Sequence, residues 1–155
     1  MRSKKIKKRI LEPDLIYKSK VITRMVNAIM KSGKKSIAED ILYNSLNKIS
    51  EDRKESLRIF EQAIKNVMPG QEVRSKRVGG ATYQVPYPLK HERSEALAIR
   101  WIVRAARAKK GNDMIIRLTK ELKDAYEGIG DSIKKRDDVH KAAEANRAFA
   151  HFARF

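Results

Sequence analysis

The sequence has no cysteine, one tryptophan, four prolines and seven glycines, and it is poor in acidic side chains, with 19 Asp and Glu against 36 Lys and Arg. Without Cys, disulfides, thiolate zinc sites and Cys nucleophiles are all excluded. No apolar run approaches the roughly 20 residues that span a bilayer, and no apolar segment follows the basic N-terminus, so neither a membrane association nor a secretory signal is expected. The three His residues, His91, His140 and His151, lack the i, i+4 spacing of a helical zinc pair. His140 and Glu144 can share a helix face, but two groups do not close a metal site. The stretch from Ser32 to Ser36 fails the phosphate-loop pattern, with Ala28 where a Gly is needed and Lys35 where Ser or Thr is needed. No nucleophile stands beside a base. The expectation is therefore no catalytic residue, no metal, no cofactor and no enzyme.

What is present is positive charge on a chain long enough to fold. The 155 residues suit one domain with an arm, and 41% hydrophobic content argues against general disorder. A chain of this size buries about 68–70% of its unfolded surface. The formal charge is +17, unevenly distributed: +10 in residues 1–35, −1 in 36–69, +7 in 70–110 and +1 in 111–155. Two segments thus hold the excess, which predicts one basic face built from the first and third, and a polyanionic partner such as nucleic acid. The expected layout is a basic arm over 1–12 and a single helical domain over 13–155.

Along the arm, Arg2, Lys4, Lys5, Lys7, Lys8 and Arg9 repel one another and need a counter-charge to order. A helix is predicted over 19–31, with Val21, Ile22, Met25, Val26, Ile29 and Met30 as its apolar stripe and Lys20, Arg24, Asn27 and Lys31 opposite. Ser32-Gly33 ends it, and Lys34 and Lys35 follow. A second helix over 36–49 should bury Ile37, Ile41, Leu42, Leu46 and Ile49. A third over 55–68 should bury Leu57, Phe60, Ala63, Ile64 and Val67 before Pro69-Gly70 stops it. These two carry no net positive charge and look like scaffold.

Residues 72–87 lose the helical period. The β-compatible run from Glu72 to Val78, the Gly79-Gly80 turn and the return through Val85 predict a two-stranded ribbon, with Pro86 and Pro88 ending it. Such a ribbon has too few apolar residues for a core, so it reads as an arm carrying Arg74, Lys76, Arg77 and Tyr83 and held by a partner. A fourth helix over 94–110 should bury Leu97, Ala98, Trp101, Ile102 and Ala105, with Arg93, Arg100, Arg104 and Arg107 sharing another face. A fifth, capped by Asn112 or Asp113, should bury Ile115, Leu118, Leu122, Ala125 and Tyr126. A last helix is predicted over 132–150, and no internal repeat is evident.

Several stretches together resemble the family of bacterial-type small-subunit ribosomal protein number seven. They are Gly33-Lys34-Lys35-Ser36, the fifteen residues from Glu72 to Pro86, Ala98-Ile99-Arg100-Trp101, and the block from Lys134-Lys135-Arg136 through Ala143-Glu144-Ala145-Asn146-Arg147 to His151. The likeness covers about 13–155. The chain departs from it at Lys90-His91-Glu92-Arg93, where members often read Arg-Pro-x-Arg, and it lacks the longer C-terminal extension of some members. The resemblance implies a mainly α fold, a six-helix bundle with a β-ribbon protruding between helices three and four. It implies direct binding to the 3′ major domain of small-subunit rRNA and help in nucleating the subunit head, so that proteins such as numbers nine and nineteen can join. It also implies that the ribbon and C-terminal helix lie near the exit-site tRNA and the mRNA exit channel, beside protein eleven. Arg77, Val78, Gly79, Gly80, Tyr83, Lys141 and Arg147 would be the residues on that side. The location implied is the ribosome, cytoplasmic or organellar, and no homo-oligomer is expected.

RNA contact should be electrostatic and shape-based, because the deep groove of A-form RNA hides its base edges. The expected rRNA-binding set is the arm, Lys20, Arg24, Lys31, Lys34, Lys35, Arg74, Lys76, Arg77, Arg93, Arg100, Arg104 and Arg107. Tyr83 has two open roles, stacking on an unpaired base or packing across the ribbon. Trp101 belongs to the core stripe. The competing reading is an architectural DNA-binding protein that lays the ribbon in a minor groove, but the tip Val78-Gly79-Gly80-Ala81 offers little wedge.

Overall fold

Helices form here wherever apolar side chains recur every three or four residues, and the loops fall at Pro, Gly and capping residues. The computed structural model describes residues 11–154. In chain order it has α1 (Lys20–Ile29), α2 (Lys35–Ile49), α3 (Arg53–Val67), β1 (Gln71–Val78), β2 (Ala81–Pro88), α4 (His91–Ala108), α5 (Met114–Tyr126) and α6 (Asp131–Ala145), followed by a 3₁₀ segment (Arg147–Arg154). The arm residues Arg2, Lys4, Lys5, Lys7, Lys8 and Arg9 lie outside the described residues.

The core joins Ile22, Met25 and Val26 of α1, Leu42 and Leu46 of α2, Phe60 and Ile64 of α3, Ile102 of α4, Leu118 and Leu122 of α5 and Ile133 of α6. α5 packs on α2, α3, α4 and α6 and is the central element, while α1 lies on α2 and α4. Trp101 is buried with them, as its place in the apolar stripe predicts. Asp52 caps α3, its carboxylate accepting from the Lys54 amide at 3.0 Å. The architecture is mainly α with a ribbon between α3 and α4, as expected from the sequence.

Five local expectations are corrected. Ile37 is 52% exposed, because α2 turns Ala38, Leu42, Ser45 and Leu46 inward and Ile37 stands about 100° away around the helix. Tyr126, at the last residue of α5, is 37% exposed, and the inward face of that helix includes a buried Glu121 instead. The last helix stops at Ala145, where Asn146 folds its amide back onto the Ala142 carbonyl at 2.8 Å. The 3₁₀ geometry beyond it, with three residues per turn, puts Phe149 and Phe152 on one side. Pro86 lies within β2, paired with Val73, and does not terminate the strand. In a ribbon both strands are edges, where a proline lacking its N–H is tolerated. Finally, α4 starts at His91, three residues earlier than predicted, with the Lys90 carbonyl accepting from the Arg93 and Ser94 amides, both at 3.0 Å.

The ribbon is antiparallel, from Gln71 opposite Pro88 to Val78 opposite Ala81. Gly79 and Gly80 take φ of 57° and 91°, the left-handed conformations a two-residue hairpin turn requires. Its base closes through the Leu89 amide, which donates to the Gly70 carbonyl at 3.0 Å. The ribbon does not stand apart from the rest. Val85 is fully buried, and the Tyr83 ring packs on Phe149 and Phe152 of the 3₁₀ segment, with centroids 5.2 and 5.1 Å apart. The Lys76 ammonium also donates to the Phe152 carbonyl at 2.9 Å.

Candidate nucleic-acid interface

The helical register of α1 and α4 determines which cations meet. Both helices bury one stripe in the core, and their flanking faces meet along a groove of about 620 Å³. Its floor is small and apolar, formed by Ala28, Ala96, Ile99 and Val103, and its rims carry Arg24, Arg100, Arg104 and Arg107. Residues remote in sequence thus converge, one from the first basic segment and three from the second. Arg100 and Arg104 lie about 6 Å apart along the axis of α4. Both are exposed, and among the described residues neither has a hydrogen-bond or ion-pair partner.

The other two arginines are held by the protein. Arg107 donates to the Ile29 carbonyl at 2.9 Å, satisfying an orphan acceptor at the end of α1 and tying the two helices together. Arg24 is paired with Glu95 of α4, Nη1 to Oε1 at 2.8 Å. The groove therefore offers an apolar floor for sugar faces, two unanchored guanidiniums, and two fixed ones that keep part of their donor edge outward.

None of the remaining predicted cations among the described residues lines this groove. Lys20, Lys31 and Lys34 are exposed on α1 and in the loop after it, and Lys35 is exposed but reaches Glu39 at 3.5 Å. Lys35 borders a second groove, with Asp14 and Tyr43, that adjoins the first at Asn27. There the Tyr43 hydroxyl donates to Asp14 at 2.6 Å, and burial, then the Asp14 carboxylate, push its pKa well above the ordinary phenol value. Arg93 is not part of the arginine groove. It joins Arg74 at the ribbon base, where both grip Glu72, Arg93 at 3.3 Å. Arg74 also lies over the Tyr87 ring at 5.6 Å. Arg77 is exposed near the ribbon tip beside Gly79 and Gly80, Lys76 is half-buried, and Val78 is half-buried next to the turn. Lys141 is exposed on α6, and Arg147 is exposed while pairing with Glu144 at 3.2 Å. Tyr83 packs within the protein, against the C-terminal segment and not across the ribbon.

Sequence reasoning missed three residues of this region. Lys110 and Arg117 border a shallow basic ledge that continues from Arg107 past the end of α4. Lys110 belongs to the same basic segment and was legible from charge alone; Arg117 becomes visible only once α5 folds back. Glu95 was missed altogether, because an acid inside a basic stretch looks like a solvated helix residue. Among the described residues, no cluster of three or more His, Cys, Asp or Glu could hold a metal ion, and no helix is long and apolar enough to cross a membrane.

The whole chain is similar to proteins of one family. The family model described as ribosomal protein S7p/S5e matches residues 1–147. The small ribosomal subunit protein uS7 of Petrotoga mobilis is 50% identical over 153 residues, covering 98% of this chain and 99% of that protein. Its counterpart in Fervidobacterium nodosum is 52% identical over 153 residues with the same coverage. That of Pelagibacter ubique is 50% identical over 152 residues, or 97% of each chain.

Proposed function

Since the chain belongs to the ribosomal protein S7p/S5e family, we propose that the arginine groove between α1 and α4 is its principal contact with the 3′ major domain of small-subunit rRNA. Membership makes the chain a structural, non-enzymatic constituent of the small ribosomal subunit, located on the ribosome in the cytoplasm. The finer reading is that it binds rRNA directly, helps nucleate the subunit head, and presents its ribbon tip toward the exit-site tRNA and the mRNA exit channel, with small-subunit proteins nine and eleven among its neighbours.

The observation that carries this reading is the convergence of Arg24, Arg100, Arg104 and Arg107 over an apolar floor. Isolated surface cations attract any polyanion. Four guanidiniums on two helices fixed to one core favour a backbone that brings several phosphates to the same place, such as a junction of A-form helices. Lys20 and Lys31 on and just after α1, Lys34 in the loop beyond, and Lys110 on the ledge beyond Arg107 add further exposed cations. Glu72 ties Arg93 and Arg74, aligning a second contact at the ribbon base.

The test is a filter-binding titration of an rRNA 3′ major-domain fragment over a range of salt. With 6–10 phosphate contacts, affinity should fall by about 10³–10⁵ between 50 and 200 mM salt. Replacing both Arg100 and Arg104 with Ala should weaken binding and lower the salt slope by about 2, one for each phosphate that is no longer neutralised. A flat slope, or a double variant indistinguishable from the parent, would overturn the groove as the binding site.

A further inference from the structure

Glu95 is out of place in a site that attracts phosphate. It is only 6% exposed and sits on the helix that supplies Arg100, Arg104 and Arg107. If the groove worked by accumulating positive charge, a buried carboxylate would work against it. The Oε1 atom has no aligned hydrogen bond, and its charge is met by Arg24 Nη1 at 2.8 Å. The Oε2 atom lies 3.9 Å from His91 Nδ1, on a side chain that is itself 78% exposed. Glu95 is thus shut off from solvent, while the Arg24 side chain, 38% exposed, both contacts it and lines the groove.

A guanidinium is a rigid plane with five N–H donors. Held along one edge by a buried carboxylate, it keeps the others for a ligand and loses less side-chain freedom on binding. Arg100 and Arg104, which have no such anchor among the described residues, can follow a phosphate over several ångströms. Arg24 cannot, so it accepts a phosphate only where the backbone path delivers one.

We infer that Glu95 is a positioning residue that pins Arg24, so that the groove selects a particular RNA backbone geometry over other polyanions. This rests on the groove being the rRNA contact. The consequence is counter-intuitive, because removing a negative charge from a cationic site should weaken its binding to the correct RNA.

The experiment uses the full chain, as parent, E95Q, R24A and the double variant. Each is titrated against the rRNA 3′ major-domain fragment and an unrelated RNA duplex of equal length, with melts on the same samples. E95Q should lose about tenfold in affinity for the fragment, because no charge then holds the Arg24 guanidinium in place, and should keep or gain affinity for the duplex. R24A should weaken both, and the double variant should bind the fragment no worse than R24A alone, since Glu95 acts through Arg24. The ratio of the two affinities does not depend on the fraction of protein folded, so a purely structural role for Glu95 leaves it unchanged. An E95Q variant that binds both RNAs as tightly as the parent or tighter, while R24A weakens binding, overturns the positioning role and leaves the groove standing. R24A without effect on the fragment overturns both.

Discussion

Lys109, Glu121 and Ser132 form the most demanding polar arrangement inside the helical bundle. Glu121 is fully buried, with Oε1 accepting from the Ser132 amide at 3.0 Å and hydroxyl at 2.6 Å and Oε2 at 2.6 Å from the Lys109 ammonium. Burial pulls the Lys109 pKa down, but the bond to Glu121 and its charge, then those of Asp124, outweigh that and hold it above its ordinary value. A lysine raised in the folded state contributes stability that is complete below its unfolded pKa of about 10.4 and is lost as pH rises through the folded value. Lys109→Met should therefore be less stable at pH 7, by about 3–5 kcal/mol if the stranded Glu121 stays charged, and should lose less on going to alkaline pH than the parent, as urea melts at pH 7 and above pH 10 would show. Gly130 belongs to the same arrangement. At φ 98° a Cβ would stand 2.9 Å from the Asp124 Cβ, whereas Gly128, at φ 79°, has open space around it. Ala at 130 should cost more than Ala at 128, the latter about 1–2 kcal/mol from strain alone, a ranking that thermal melts can check. None of this was legible in the sequence, where Glu121 is one charged residue among several in α5. Its partners lie on other elements, and a hydrophobicity pattern carries no information about a buried ion pair.

At the scale of elements, apolar spacing located the first five helices, because each buries a stripe whose period is set by backbone geometry, while the ribbon showed itself by the loss of that period and by the Gly79-Gly80 turn. Spacing fared less well on which neighbour shares that stripe. Ile37 fits the helical template as well as Ala38 does, but only packing against α1 and α5 decides between them. Ile64→Ala, at a site 3% exposed, should cost about 2–5 kcal/mol, while Ile37→Ala should be nearly neutral; equal effects in a melt would mean the register of α2 described above is wrong. The ribbon is the larger lesson. Its few apolar residues suggested an arm independent of the core, yet Val85 is buried and Tyr83 meets Phe149 and Phe152. The two halves of this contact are far apart in the sequence, so neither could announce the other. Replacing residues 74–84 with a short Gly-Ser loop, which keeps Val85, should preserve cooperative melting of the helices. It should also expose the 3₁₀ segment, and faster amide exchange over residues 147–154 is the result to look for. Unchanged exchange there would mean the segment holds its conformation without the ribbon.

For the molecule as a whole, a formal charge of +17 sets folding and binding against each other in salt. Self-repulsion destabilises the compact free chain, and screening relieves it. The melting temperature of the free protein should rise with salt over the range in which RNA affinity falls, by about 2–4 °C for each kcal/mol of repulsion removed. Calorimetry on the free chain at low and near-physiological salt tests this directly, and a melting temperature that falls or stays flat would show that the local ion pairs already balance the field. The basic face itself was largely legible. Segmental charge identified both contributing regions, and helical spacing aligned Arg100, Arg104 and Arg107. Arg93 satisfies the same spacing but is drawn off to Glu72, because spacing gives direction around a helix and not what stands opposite it.

The closed base of the ribbon sets rules for how its length can vary. Gly70 and Leu89 are joined by a hydrogen bond, so the chain leaves and re-enters the bundle at one point, and residues could be added or removed beyond it without moving α3 or α4. Each additional residue pair would advance the tip by about 3.3 Å. A single pair would also invert the alternation, turning the side that faces the C-terminal aromatics to solvent, whereas two pairs would restore it about 7 Å farther out. The reach of this appendage is therefore graduated, and its lengths across related chains should differ by even numbers of residues per strand.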